Sequence, residues 1–207
     1  MLGPMRFAEV TLSAPVDLRD FYDAGLGLPL DGETIVIGET RLRFRIEDGG
    51  AFYHFALLVP GDRLEPALAW ARDRVELLGD VFDFEAWDAR AVYFHDPAGN
   101  IVELIAHHRL GENGDSGDFA ADELVGFSEL GIVGDPPLLL RELETVGLEL
   151  WDGTIDEPGD LAFVGEKGRT LILAPPGRGW LPTGRPAEPH PVELALELAD
   201  ARVPLRF

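Results

Sequence analysis

The chain has 207 residues, 46% hydrophobic and 27% charged, which is typical of a globular protein with one large domain or two small ones. Its formal net charge of −21 argues against nucleic acids and anionic membranes as partners, because both are bound through lysine and arginine. There is no cysteine, no long apolar stretch and no start of the secretion-signal type, so we expect a cytoplasmic protein without disulfides, thiolate metal sites or membrane spans.

The first predicted unit is a strand, a helix and a pair of strands. Residues 5–12 (MRFAEVTL) read as a strand, and residues 14–28 carry apolar side chains at helical spacing before they end in two glycines. Two short alternating strands follow at 33–39 and 40–48. The order strand, helix, strands therefore defines one unit.

The same order returns twice. The second unit begins with a strand at 51–59 and a helix at 61–79, where Asp62 and Glu65 are spaced as an N-terminal cap, and three strands follow. Residues 109–123 are polar and rich in glycine, which is typical of a linker. We therefore predict two βαβββ modules in 1–108, a linker at 109–123, and a third module plus the first strand of a fourth in 124–207.

Ionisable residues recur at one position of these units. When the first strands are overlaid without gaps, one column holds Glu9, His54, Glu129 and Glu193. Overlay of the last strands gives a second column with Arg43, Glu103 and Ile172. A buried charge needs a counter-charge or a metal, so these columns are the candidate functional positions.

Residues 94–104 (FHDPAGNIVEL) form the most specific motif of the chain, aromatic-x-Asp-Pro-x-Gly-Asn-x-x-Glu-Leu. With the strand FYHFALLV and the helix end at 22–28, this motif resembles the vicinal oxygen chelate superfamily, which includes glyoxalase I, extradiol dioxygenases and the bleomycin- and fosfomycin-resistance proteins. The resemblance implies an α+β fold in which paired βαβββ modules form cupped mixed sheets with a divalent metal at the base.

The resemblance also implies a set of four ligand positions. Each of the two paired modules supplies one residue from its first strand and one from its last strand. In residues 1–108 these positions are Glu9, Arg43, His54 and Glu103. Arginine has no lone pair to donate, so the predicted metal ligands are Glu9, His54 and Glu103, suited to Fe, Mn, Ni or Zn. Glu103 is the predicted catalytic residue and Arg43 a predicted substrate-binding residue. In a competing interpretation, Arg43 bridges Glu9 and Glu103 and no metal binds.

Two functions remain open at this level. The first is a metal-dependent lyase or ring-cleaving dioxygenase that acts on a small oxygenated molecule. The second is metal-free small-molecule binding, as in drug-sequestering proteins of the bleomycin-resistance type. The third module offers Glu129, Ile172 and Glu193 without a histidine, so we expect its site to be degenerate. The chain reaches Phe207 near the expected start of a fourth helix, and an uncovered sheet there predicts a homodimer.

Overall fold

The computed structural model describes residues 5–199 and 201–207. Most of its elements are strands, and its two α-helices are short: α1 spans Leu64–Arg72 and α2 spans Pro136–Glu144. The fold is therefore α+β, as predicted. No helix in the described part of the chain is long and apolar enough to cross a membrane.

The strands form two large sheets and one small hairpin. The six-stranded sheet has the order β16-β15-β1-β4-β3-β2, with β1 Met5–Ala14, β2 Leu30–Asp31, β3 Thr34–Ile37, β4 Thr40–Ile46, β15 Val192–Leu198 and β16 Ala201–Arg206. The eight-stranded sheet has the order β10-β11-β12-β9-β5-β8-β7-β6, with β5 His54–Val59, β6 Phe82–Phe84, β7 Ala89–His95, β8 Ile101–His107, β9 Gly126–Val133, β10 Leu150–Gly153, β11 Ala162–Glu166 and β12 Arg169–Ala174. The hairpin pairs β13 Gly179–Trp180 with β14 Arg185–Pro186.

The modules pair differently from the expectation. Strand β5 of the second module pairs antiparallel with β9 of the third, and β1 of the first module pairs antiparallel with β15. Residues 1–108 are thus divided between the two sheets. The burial of β5 and β9 gives the physical reason, because nearly all residues of both strands are buried and each strand must lie in the middle of a sheet.

The two sheets pack against each other through an aromatic layer. Phe127 of β9 stacks on Phe55 of β5 at 5.0 Å between ring centroids, and it meets Phe7 of β1 at 6.0 Å. One face of the eight-stranded sheet is therefore core between the sheets. Its other face, which we call the inner face, curls into a cup.

The predicted helices are present but shorter. In the first module the helical segment is a π-helical turn, Phe21–Gly25. Helix α1 begins after Arg63, and its predicted cap residue Asp62 instead accepts hydrogen bonds from the backbone of Asn113 and Gly114. The end of the predicted helix joins the sheet, since Leu78 donates to the carbonyl of Tyr93.

The predicted linker is anchored to α1 by one buried side chain. Arg63 donates to the carboxylate of Glu123 and to the carbonyls of Asp115, Gly117 and Asp118. This crossing leads the chain from β8 to β9, the first strand of the other half of the cup.

Candidate metal centre

The inner face carries a row of residues that crosses five neighbouring strands. The strand register aligns, from one side to the other, Thr170, Glu129, Ala56, Glu103 and Tyr93. Partners in register point to the same face of a sheet, so all five side chains enter the cup. His54 joins them because it lies two residues before Ala56 on β5.

The small side chain of Ala56 lets the two acids meet. Glu103 and Glu129 lie on the strands either side of β5, so their backbones are about 10 Å apart. Only the methyl side chain of Ala56 lies between the two acids. One ligand atom each from His54, Glu103 and Glu129 come within 4.8 Å of one another, and all three residues are buried.

The orientation of His54 leaves one ring nitrogen free to act as a ligand. Its Nδ1 lies 3.3 Å from the carbonyl oxygen of Ile101, an acceptor that fixes the proton on Nδ1. The lone pair of Nε2 then points into the cluster, where Nε2 is 3.4 Å from Oε2 of Glu103. A second hydrogen bond that fixes the tautomer is typical of metal-binding histidines.

Burial controls the protonation of the cluster. Burial lowers the pKa of His54 to about 4, so the imidazole is neutral near pH 7. Burial raises the pKa of Glu129 to about 8, and burial together with the charge of Glu129 raises the pKa of Glu103 well above its usual range. Within the described residues, neither acid forms a salt bridge with a lysine or arginine. The two acids therefore lack the cation that two buried carboxylates need.

Tyr93 lies at the other side of Glu103. The two residues are paired across β7 and β8, and a hydrogen bond from the Tyr93 hydroxyl opposes the rise in the pKa of Glu103. The pKa of the Tyr93 hydroxyl is itself raised, first by burial and then by the charges of Glu103 and Glu129. At neutral pH Tyr93 is therefore a proton donor in the cup.

The structure brings together two of the three predicted ligands. Glu9 lies on the six-stranded sheet, where its exposed carboxylate pairs with Arg202 at 2.6 Å. Glu129 stands beside His54 and Glu103 in its place. The correction follows from the module pairing, because the cup is built by the second and third modules rather than by the first and second.

Arg43 does not meet the cluster either. It is exposed on β4 of the six-stranded sheet and donates a hydrogen bond to Oγ1 of Thr34 at 3.1 Å. The proposed bridge from Arg43 to Glu9 and Glu103 is therefore absent from the structure. The fourth position of the cup is Ile172, which pairs in register with Gly131 and offers no ligand atom.

The first sheet contains a related arrangement without a buried cluster. The register of β1 and β15 places Thr11 beside Glu193 and Glu9 two residues before Thr11, just as β5 and β9 place Ala56 beside Glu129 with His54 two residues before Ala56. Glu193 forms salt bridges with Arg45 and Arg206. Glu9 is thus exposed and Glu193 half-buried, and both are already paired with arginine.

Sequence reasoning missed three residues of the site. Glu129 stood in the overlaid column with His54, but it was assigned to a degenerate module. Tyr93 was readable only as a strand aromatic, for which core packing is the usual role. Trp180, whose ring lies 5.0 Å from that of His54, comes from the proline-rich segment 175–191 between β12 and β15, and no motif in the sequence singles it out.

The comparisons with solved structures agree with this architecture. The chain is similar to a candidate dioxygenase from Bacillus subtilis, with a TM-score of 0.55, 18% identity, and coverage of 81% of this chain and 63% of that one. It is also similar to glyoxalase I from Zea mays, with a TM-score of 0.54, 16% identity, and coverage of 83% and 66%. The chain has the vicinal oxygen chelate fold.

The chain covers only part of the length of these proteins. A variant of the maize glyoxalase I gives a TM-score of 0.57 at 15% identity and covers 95% of this chain and 75% of that one. The chain thus spans about two thirds to three quarters of the length of these vicinal oxygen chelate proteins. No protein-family model and no curated protein matches the sequence.

Proposed function

We propose that the chain binds a divalent metal ion through His54, Glu103 and Glu129, and that it is a metal-dependent enzyme for a small oxygenated molecule. The observation that carries the proposal is the buried trio itself, with ligand atoms within 4.8 Å of one another and no lysine or arginine paired to either acid in the described residues. One imidazole and two carboxylates suit Fe, Mn, Ni or Zn.

The donor set fits a cation on chemical grounds. Two carboxylates in this position must either take up protons, at a cost seen in their raised pKa values, or share a divalent ion. The neutral imidazole contributes a ligand without adding charge. When bound, the ion would supply Lewis acidity to two neighbouring oxygens of a ligand, as lyases and ring-cleaving dioxygenases of this fold require.

The chain itself would supply three other functions. Glu103, which contacts both His54 and Tyr93, would orient the ligand set and is the residue we assign to catalysis. Tyr93 would hold a proton at its hydroxyl beside the bound molecule. The apolar residues of the cup would exclude water, which strengthens each of these interactions.

Metal content tests this proposal directly. Protein purified without added metal, then dialysed against zinc or manganese, should bind about one ion per chain by elemental analysis, and Glu129→Gln should lose it. Glu193→Gln is the matched control, because Glu193 stands at the corresponding position of the exposed face. Equal metal content in wild type and Glu129→Gln would reject the site.

A metal-free binding function has one observation in its favour. The raised pKa values of Glu103 and Glu129 allow the cluster to persist with its acids protonated, and the Tyr93 hydroxyl already satisfies part of Glu103. In that case the cup would hold a small molecule by hydrogen bonds and apolar contact. Wild-type protein that takes up no metal at pH 8, near the raised pKa of Glu129, would favour this second function.

A further inference from the structure

The segment 175–191 between the third module and β15 covers the cup above the candidate metal centre. It contains the short hairpin of β13 and β14 and places Trp180 inside, where its residue is only 4% exposed. The indole lies 5.0 Å from the ring of His54, tilted by 36°. Trp180 also belongs to the buried apolar cluster that includes Ile172.

The indole fits against strand β9 because residue 131 is a glycine. A Cβ atom at Gly131 would lie 2.7 Å from Cη2 and 2.9 Å from Cζ2 of Trp180, which is closer than packed atoms allow. Gly131 pairs in register with Ile172, the residue at the fourth position of the cup. The side of the cluster that holds no protein ligand is therefore walled by Ile172 and Trp180.

Arg185 joins the hairpin to the second module. Arg185 pairs with Trp180 across the hairpin, and its guanidinium carbon lies 3.2 Å from the ring centroid of Phe52. Its Nη1 donates to the carbonyl of Gly99 at 3.0 Å. Both partners belong to the second module. The indole is therefore held over the cluster by its contact with Gly131 of β9 and by the contacts of Arg185 with the second module.

We infer that Trp180 sets the size of the ligand that this site admits. The inference rests on the proposed function. With the indole in place, the side of the centre walled by Ile172 and Trp180 would admit a compact ligand with two neighbouring oxygens and reject one that carries a ring on that side. The two side chains that wall this side, Ile172 and Trp180, carry no charge, so the size of the ligand rather than its charge decides what enters.

Two chelators of different size test this inference on zinc-loaded protein. Acetohydroxamate and catechol each offer two adjacent oxygens, but only catechol carries a ring. Calorimetric titration of wild type should give tighter binding of acetohydroxamate, and Trp180→Ala should shift the ratio of the two affinities toward catechol by about tenfold or more. Trp180→Phe, which keeps an aromatic side chain and the packing of the hairpin, should shift it less.

The control is Leu181→Ala, the next residue of the same hairpin, whose side chain is 47% exposed. Its affinity ratio should equal that of wild type. An unchanged ratio in both Trp180 variants, with zinc still bound, would overturn the role of Trp180 and leave the metal site standing. Protein that takes up no zinc overturns the metal site, and this inference with it, before either chelator is added.

Discussion

Glu129 is the residue at which the ionic state of the cup can be measured most directly. In metal-free protein its pKa is raised to about 8 by burial, whereas the unfolded chain loses this proton near the ordinary glutamate value. The folded state therefore holds a proton that the unfolded state has released. This contribution to stability is complete below the unfolded pKa and is lost as the pH rises through the folded pKa.

Glu129→Gln should remove that loss, because glutamine does not ionise. We expect the free energy of unfolding of the variant, measured in urea with a chelator present, to rise relative to that of wild type by a few kcal/mol between pH 5 and pH 8. Glu193→Gln, half-buried and paired with arginine, should show no such gain. Parallel pH profiles for wild type and Glu129→Gln would contradict the burial of an unpaired acid.

For His107 we predict a pH dependence of stability opposite in sign to that of Glu129. Among the described residues, neither ring nitrogen has a hydrogen-bond partner of good geometry, although the Trp87 carbonyl slightly opposes the lowering of the pKa. Burial, with a smaller contribution from the charge of Lys167, lowers its pKa to about 4. The unfolded chain then binds a proton that the folded state does not, so stability falls as the pH drops from about 6.5 to 4.

Replacement of His107 by leucine should remove up to about 3 kcal/mol of that loss. The measurement is thermal unfolding at pH 7 and pH 4.5, with His108→Leu as the neighbouring control because His108 is exposed. A variant that loses as much stability on acidification as wild type would show that His107 is protonated in the folded protein.

At the scale of elements, Arg63 determines how the second module is joined to the third. Its side chain is 4% exposed and ties α1 to the crossing through Glu123 and three carbonyls. Arg63→Met should therefore lower the stability in chemical unfolding, since it leaves these groups without their donor. Arg90→Met is the control, because its ion pairs with Glu65 and Asp83 are exposed and should contribute less than about 1 kcal/mol. Equal costs would mean that the crossing is held by other contacts.

The element scale is also where prediction from sequence reached its limit. The overlaid strands placed His54 and Glu129 in one column and Glu103 and Ile172 in the other, and the register of the inner face keeps both correspondences. The pairing of modules could not be read in the same way, because repeated units present similar strands to one another. Burial on both faces of β5 and β9 decides the pairing, and it depends on contacts far apart in sequence.

The covering segment shows a second kind of limit. Residues 175–191 are rich in proline and glycine, which is typical of a loop, and the structure places only the short hairpin of β13 and β14 there. Its function over the cup depends on Arg185 reaching Phe52 and Gly99, residues more than 80 positions away. No local pattern encodes that contact, so Trp180 could be found only from the structure.

At the scale of the whole molecule, the outer face of the six-stranded sheet bears on assembly. This face carries exposed acids and arginines in pairs such as Arg45–Glu193 and Arg202–Glu9. We keep the expectation of a homodimer and predict that contacts through this charged face weaken as salt rises. Size-exclusion chromatography with light scattering should give a dimer at low salt and a larger monomer fraction at about 0.5 M salt. A monomer at every salt concentration would refute it.

Metal binding should stabilise the whole fold because its ligands come from two modules. His54 and Glu103 belong to the second module and Glu129 to the third, so an ion would join strands β5, β8 and β9 in the middle of the larger sheet. A ligand that binds only the folded state adds about 2.7 kcal/mol at a concentration 100 times its Kd. Thermal unfolding should therefore shift upward with added zinc or manganese and return to the starting value with chelator.

The size of that shift should grow from pH 5 to pH 8. The metal must displace the protons that Glu103 and Glu129 hold in the metal-free protein, and protons compete less well as the pH approaches the raised pKa of about 8 of Glu129. Glu129→Gln should show little shift at either pH, whereas Glu193→Gln should behave as wild type. A shift in wild type that is equal at both pH values would mean that the ion binds at carboxylates already ionised on the surface rather than in the cup.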